Sequence, residues 1–372
     1  MEGDYVYSRS LCIATNSNCN LKCTYCYEKD KNNVNFDVNE IIDILDDMLM
    51  TPTEHGTKIK LHGGEPFLVF PKIKQLCETL WMRDYPEFFH FHITTNGTLV
   101  HGHIQNWLYK NRDKITVKIS LDGNKKSHDF NRSNSYDLID IDFFIRTWPN
   151  IRVNMTITPE TLPQLSENVK FLHSLGIKDI LAHFSLMTDW SKYQQEKIFY
   201  EQLIELVDYY LENPGIKPWS FFTYDISRTI DNKPYLAPCN IGQLKAYDFQ
   251  THKYYPCHMF FPSVGGRNLT DELSVIKLDE LEKTEEDSCL KCPFIKLCVT
   301  CYAENYISRG SISQRDMSLC SYQQINIAVL FRFEYERILR LHTPTSKDID
   351  KMKAIQKLHS YINAIEDKYN LR

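Results

Sequence analysis

From residue 10 to about residue 212 the chain alternates short strand-like runs with helix-patterned stretches, and no other feature restricts its fold as much. "LCIA" leads into a cysteine loop. Asp37 then opens "DVNEIIDILDDMLM", with Glu40 three residues on, as in a capping box. Ile41, Ile42, Leu45, Met48 and Leu49 share one helical face. "KIKLHGGEP" reads as a strand running into a glycine turn, "FHFHITTNG" as another strand, and 101–112 as a helix. "ITVKISLDG" and "IRVNMTITP" are strands, Leu162–Leu175 is a helix that Gly176 ends, "DILAHFSLM" is a sixth strand, and 191–212 is a long helix. Six strand–helix units predict an α/β fold with a parallel sheet, closed or partly closed like a TIM barrel, a (β/α)6 arrangement over 8–212. The unusual short motifs all fall at carboxyl ends of strands, the edge where such folds build active sites.

Pro214, Gly215, Pro218, Pro234 and Pro238 break the alternation, so 213–238 reads as a linker. A cysteine-rich segment follows over 239–325, then a helical tail over 326–372. The net charge of −5 gives no whole-chain pull toward nucleic acid, and no run approaches the roughly 18 apolar residues of a membrane helix. The amino terminus "MEGDYVYSRS" lacks the basic and apolar regions of a secretory signal, which predicts a cytoplasmic protein. In that reducing compartment twelve cysteines point to metal or redox chemistry rather than disulfides. Cys12 and Cys77 stand apart in apolar periodic runs and read as small buried hydrophobes.

Cys19, Cys23 and Cys26 form C-x3-C-x2-C with no fourth Cys or His nearby, a poor pattern for closed zinc. Three thiolates suit a [4Fe–4S] cube with one iron left open. Here the chain resembles the radical S-adenosylmethionine (SAM) superfamily, whose motif has this spacing and an aromatic residue before the last cysteine, the place of Tyr25. Gly63, Gly64, Glu65 and Pro66 look like the family's turn for the SAM amino group. "SLDG", with Ser120 and Asp122, and "HDFNR", ending at Arg132, resemble its segment for the SAM ribose and carboxylate; "TTNG" at Thr94–Gly97 also fits. An arginine suits a carboxylate through two parallel charge-assisted bonds. The resemblance implies that SAM completes the open iron and is cleaved by one electron to methionine and a 5′-deoxyadenosyl radical, which abstracts hydrogen from the substrate.

The later cysteines are similar to the SPASM extension of these enzymes, which holds two auxiliary iron–sulfur clusters. The resemblance implies that Cys289, Cys292, Cys298 and Cys320 hold one, and Cys239, Cys257 and Cys301 the other, its fourth ligand open or not cysteine. Structural zinc is the alternative for this set. Cys298 and Cys301 stand one residue closer than the family pattern, and His252 replaces its hairpin glycine.

Sulfatase-maturing members carry an aspartate after the second cysteine of this set, where His258 stands as a candidate base or a hydrogen-bond donor beside the cluster. That favours a maturase that oxidatively modifies, by cross-linking, a ribosomally made precursor peptide. The alternatives are formylglycine formation of the sulfatase-maturase kind, a small-molecule radical SAM enzyme, a non-catalytic iron–sulfur redox protein, and a zinc-stabilised binding module. The first strand begins near residue 10, so leader recognition is expected from a separate protein or the surface around the tail. The other expected partner is an electron donor such as flavodoxin or ferredoxin.

Overall fold

The computed structural model describes residues 7–231, 244–266, 271–272 and 287–371. The six expected strands are β1 (Arg9–Ala14), β2 (Thr57–His62), β3 (Phe89–Thr95), β4 (Ile115–Ser120), β5 (Arg152–Ile157) and β6 (Asp179–Phe184). Two further strands, β7 (Leu244–Asp248) and β8 (Lys253–Tyr255), extend the sheet beyond β1. The order is β6-β5-β4-β3-β2-β1-β7-β8, so the sheet is open. β7 joins β1 in parallel and β8 closes an antiparallel hairpin. Connecting helices are α1 (Val38–Leu49), α2 (Phe70–Trp81), α3 (His103–Lys110), α4 (Lys125–Asn131), α5 (Ile141–Thr147), α6 (Leu165–Ser174) and α7 (Glu196–Glu212). The chain divides into two compact units, one of residues 1–121, 128–154 and 239–279, the other of 122–127, 155–238 and 280–372.

In the first unit, period-two alternation gives the sheet two unlike faces. Leu11, Ile13, Ile59, Leu61, Phe91 and Ile93 are buried on one of them. α1 buries Ile41, Ile42, Leu45 and Leu49, and packs against α2. Burying each such side chain contributes about 1.5–3 kcal/mol, which holds helices too short to persist alone. Asp37 caps α1 by accepting from the Asn39 and Glu40 N–H groups. The Glu40 carboxylate does not close the expected box; it accepts from the Tyr247 hydroxyl and meets His252 Nδ1. His252 takes φ +53°, the left-handed conformation that glycine supplies in the related hairpins. Cys12 and Cys77 are buried, and burial pushes the Cys12 thiol up to about 12.

In the second unit, α7 packs against the helix Cys320–Leu339, which packs in turn against the helix Ser346–Lys368. The proline-broken stretch after α7 buries Trp219, Phe221, Phe222 and Ile226. Phe222 stacks on Phe333 with ring centroids 5.2 Å apart.

Candidate functional site

The carboxyl ends of β1 and β2 are fastened to each other by Asn16 and Asn18, residues outside the motifs. Asn16 donates from Nδ2 to the Glu65 carbonyl at 2.8 Å and accepts at its own carbonyl from the Gly64 N–H at 3.2 Å. The Asn18 carbonyl accepts from the Glu65 N–H at 2.8 Å, while its side chain accepts from the Cys19 N–H at 2.9 Å. The cysteine loop therefore lies directly on the glycine turn. A Cβ on Gly64 would stand 2.1 Å from the Asn18 carbonyl oxygen, and one on Gly63 would stand 2.6 Å from that of Asn16. Both positions require glycine because backbone meets backbone.

Glu65 is almost fully buried, and its carboxylate is turned into the fold. It accepts from the Thr95 hydroxyl at 2.7 Å, the Asn96 N–H at 2.8 Å and the Phe67 N–H at 3.1 Å. Burial raises its pKa, opposed by those bonds and by Arg132. The side chain thus ties β2's turn to β3's turn.

The segment after α4 clamps the cysteine loop from the other side. Thr24 N–H donates to the Asn131 carbonyl at 2.9 Å, and Lys22 N–H to Ser133 Oγ at 3.0 Å. Ser133 and Asn134 adopt φ +58° and +54° to make that turn. Arg132 is buried with its guanidinium over the Tyr25 ring, 5.3 Å from the centroid. Structure thus brings Tyr25, Arg132 and the cysteine loop together. Asp122, in the second unit, is buried and accepts from the Thr156 N–H at 2.9 Å. Gly123 beside it has φ +113° and would carry a Cβ 2.3 Å from the Asn168 side chain.

Cys19 and Cys23 are partly exposed and Cys26 is exposed, and none of the three is in a disulfide. Cys19 Sγ accepts from the Leu21 N–H at 3.4 Å and faces Asn96 Nδ2 at 3.9 Å. Three thiols on one loop, with N–H groups aimed at the Cys19 sulfur and the Gly63–Gly64 turn beside them, fit an iron–sulfur cluster with an open position. Among the described residues no three His, Cys, Asp or Glu side chains converge on a single-ion site.

In the second unit Cys298 lies within the electrostatic reach of Cys320 and Cys292, and Cys320 within that of Cys292 and Cys289. Burial is the main cause that pushes the Cys298 thiol up to about 11, opposed by Arg315, which donates to the Cys298 carbonyl at 3.2 Å. Cys301 precedes the helix Tyr302–Arg309. Cys257 belongs to the first unit and Cys239 lies outside the described residues.

His258 follows Cys257 and is packed against His62, ring centroids 4.3 Å apart, with Tyr27 at 6.5 Å. Burial, then His62 and Lys60, hold the His258 pKa well below its ordinary value; burial and Lys60 bring His62 to about 4. Both shifts favour the neutral ring. His258 has the protonation state a base needs and an environment that disfavours the product cation. Asn16, Asn18, Asn131, Ser133 and His62 have no counterpart in the sequence reading. Asn and Ser are ordinary turn residues, and only the fold brings them to the cysteines.

Residues 13–188 match the family model of the radical SAM superfamily. Among curated proteins, MJ0907 of Methanocaldococcus jannaschii, described as uncharacterized, is 29% identical over 179 residues, 46% of this chain and 61% of that protein. A GTP 3′,8-cyclase of Clostridium perfringens is 37% identical over 114 residues, 30% of this chain and 33% of the cyclase. A cysteine-type anaerobic sulfatase-maturating enzyme of C. perfringens is 30% identical over 124 residues, 31% and 33% of the two chains. The chain thus matches 61% of the first relative's length and a third of the other two. Among solved structures, anSMEcpe with bound AdoMet and Cp18Cys peptide superimposes with TM-score 0.68 at 19% identity, over 89% of this chain and 97% of that one. Streptococcus suis SuiB bound to precursor peptide SuiA gives 0.55 at 19% identity, over 84% and 76%. At that identity the likeness carries the fold alone.

Proposed function

Residues 13–188 form a domain of the radical SAM superfamily, and from that premise we propose that the chain oxidatively modifies a ribosomally made peptide, closing a cross-link within it. The observation that carries this is the cysteine loop seated on the Gly63–Gly64 turn by Asn16 and Asn18. In this reading Cys19, Cys23 and Cys26 hold a [4Fe–4S] cluster, the Gly63–Gly64 main chain receives the SAM amino group, and Arg132 receives its carboxylate. Cluster and SAM together supply one-electron reductive cleavage and the adenosyl radical that takes a hydrogen atom. Glu65 holds the turn rigid, and Tyr25 fixes Arg132 by stacking beneath it. Cys289, Cys292, Cys298 and Cys320 hold one auxiliary cluster; a second rests on the sequence resemblance alone. The solved neighbours crystallised with peptides support a peptide as substrate.

His258 stands where sulfatase-maturing members have aspartate, which favours cross-linking over formylglycine formation. As the neutral base it takes a proton at a ring nitrogen. The test supplies SAM, dithionite and a precursor peptide encoded beside this gene. The expected product is lighter by two hydrogens and resists fragmentation between the bridged residues. A lone aldehyde that hydrazines tag, with no bridge, would replace this reading by formylglycine formation.

A further inference from the structure

The turn that follows β4 is gripped by two consecutive residues of α6, and all the groups concerned belong to the second unit. Asn124 N–H donates to Asn168 Oδ1 at 3.1 Å, and Asn124 Nδ2 donates to Glu167 Oε1 at 2.8 Å. Asn124 Oδ1 accepts in turn from the Ser127 N–H at 3.0 Å, which caps the start of α4. Two residues earlier, Asp122 accepts from the Thr156 N–H at 2.9 Å. Between them Gly123 has φ +113°, and a Cβ there would stand 2.3 Å from the Asn168 side-chain carbonyl. The Asn168 amide therefore lies directly on the turn's main chain. Asn168 is wholly buried, and its Nδ2 has no hydrogen-bond partner among the described residues. A buried donor left unpaired is costly, and an apolar side chain of similar size would avoid that cost. Asparagine is also a poor choice inside a helix, because its side chain competes for backbone groups. Packing and helix propensity thus both argue against an amide at this position, and only its contacts with the turn account for it.

We propose that Asn168 is a positioning residue for SAM, holding the Asp122–Asn124 turn in the conformation that takes the ribose. Its oxygen pins the Asn124 main chain, and its carbonyl closes the space beside Gly123, so the turn keeps its positive φ. The proposal rests on the SAM reading of that turn and adds to it a residue that lies outside every motif. Asn168 acts through the turn and touches none of the reacting atoms.

The test measures binding to cluster-reconstituted protein by competition with radiolabelled SAM. The competitors are unlabelled SAM, 5′-methylthioadenosine, which has the ribose without the amino acid, and methionine, which has the amino acid without the ribose. Asn168→Ala should weaken SAM and 5′-methylthioadenosine about tenfold each, the effect of one buried hydrogen bond, and leave methionine within about twofold. Iron content and the cluster's absorption spectrum should stay at the parent's values. Where the alanine variant does not fold, Asn168→Ser, which leaves a smaller cavity, carries the same expectation. Unchanged affinity for SAM in the variant would overturn the proposal, since the turn would then hold itself. Equal losses for 5′-methylthioadenosine and methionine would also overturn it, because the side chain would then support the fold as a whole. Parent protein that binds methionine but neither SAM nor 5′-methylthioadenosine would remove the ribose reading of the turn, and the proposal with it.

Discussion

Single glycines differ in what an added methyl group would meet. Gly64→Ala places a methyl group on the Asn18 carbonyl, backbone against backbone, and should cost about 1–3 kcal/mol in urea unfolding and weaken SAM binding with it. Gly102→Ala meets open space but at φ +52° and ψ −114°, outside the regions open to L residues, and should cost about 1–3 kcal/mol with SAM binding kept. Glu65→Gln keeps one acceptor oxygen but turns an amide donor toward at least one of the three donors, and should cost about 1–3 kcal/mol. His90 and His92 predict a pH effect. Burial, then Lys58, bring His90 to about 4, so from its ordinary 6.5 down to about 4 the unfolded chain binds more protons than the folded one. Stability is therefore full above 6.5 and lost as pH falls through that window, by up to about 1.4 kcal/mol per pH unit per ring. The raised carboxyls Glu28, Glu65 and Asp248 act in the opposite sense. The difference between the parent and the double variant His90→Gln, His92→Gln isolates the imidazoles: the variant's urea midpoint should fall less between pH 7 and 5.

At the scale of elements, strands and helices were legible because each carries a single period. β1 through β6 fall where the apolar runs stand, and α6 ends before Gly176 at φ +89°. Boundaries shifted where a short local turn precedes the helix. The expected helix from Leu162 begins as a 3-10 turn, Leu162–Gln164, before α6, and the helix expected from 191 starts at Glu196 after Asp189 has capped a separate turn. β7 beside β1 carries no local sign of its place, because pairing across more than 200 residues is decided by the sheet edge. Helix Ser346–Lys368 begins with a box between Thr345 and Asp348, and Asp348 also meets Arg337 at 2.5 Å. Thr345→Ala should cost about 0.5–2 kcal/mol, and amide hydrogen exchange should speed up first in that helix's opening turn.

Across the whole molecule, the motifs named the cysteines and the SAM turns, while the residues that seat them came only from the fold. Spacing announces ligands because a cluster fixes their separation. The asparagines holding that loop to its turn use main-chain geometry, which ordinary turn residues satisfy without a pattern. Reconstituted protein should hold three clusters, about eleven to twelve iron atoms, from cysteines grouped three, three and four. The central claim is that Cys19, Cys23 and Cys26 alone serve SAM. Its most direct measurement is 5′-deoxyadenosine released from SAM after dithionite reduction, with iron counted on the same sample. The parent should release it, and the triple variant with alanine at those positions should release none while keeping the iron of the other two clusters. Undiminished release by the triple variant would contradict the account.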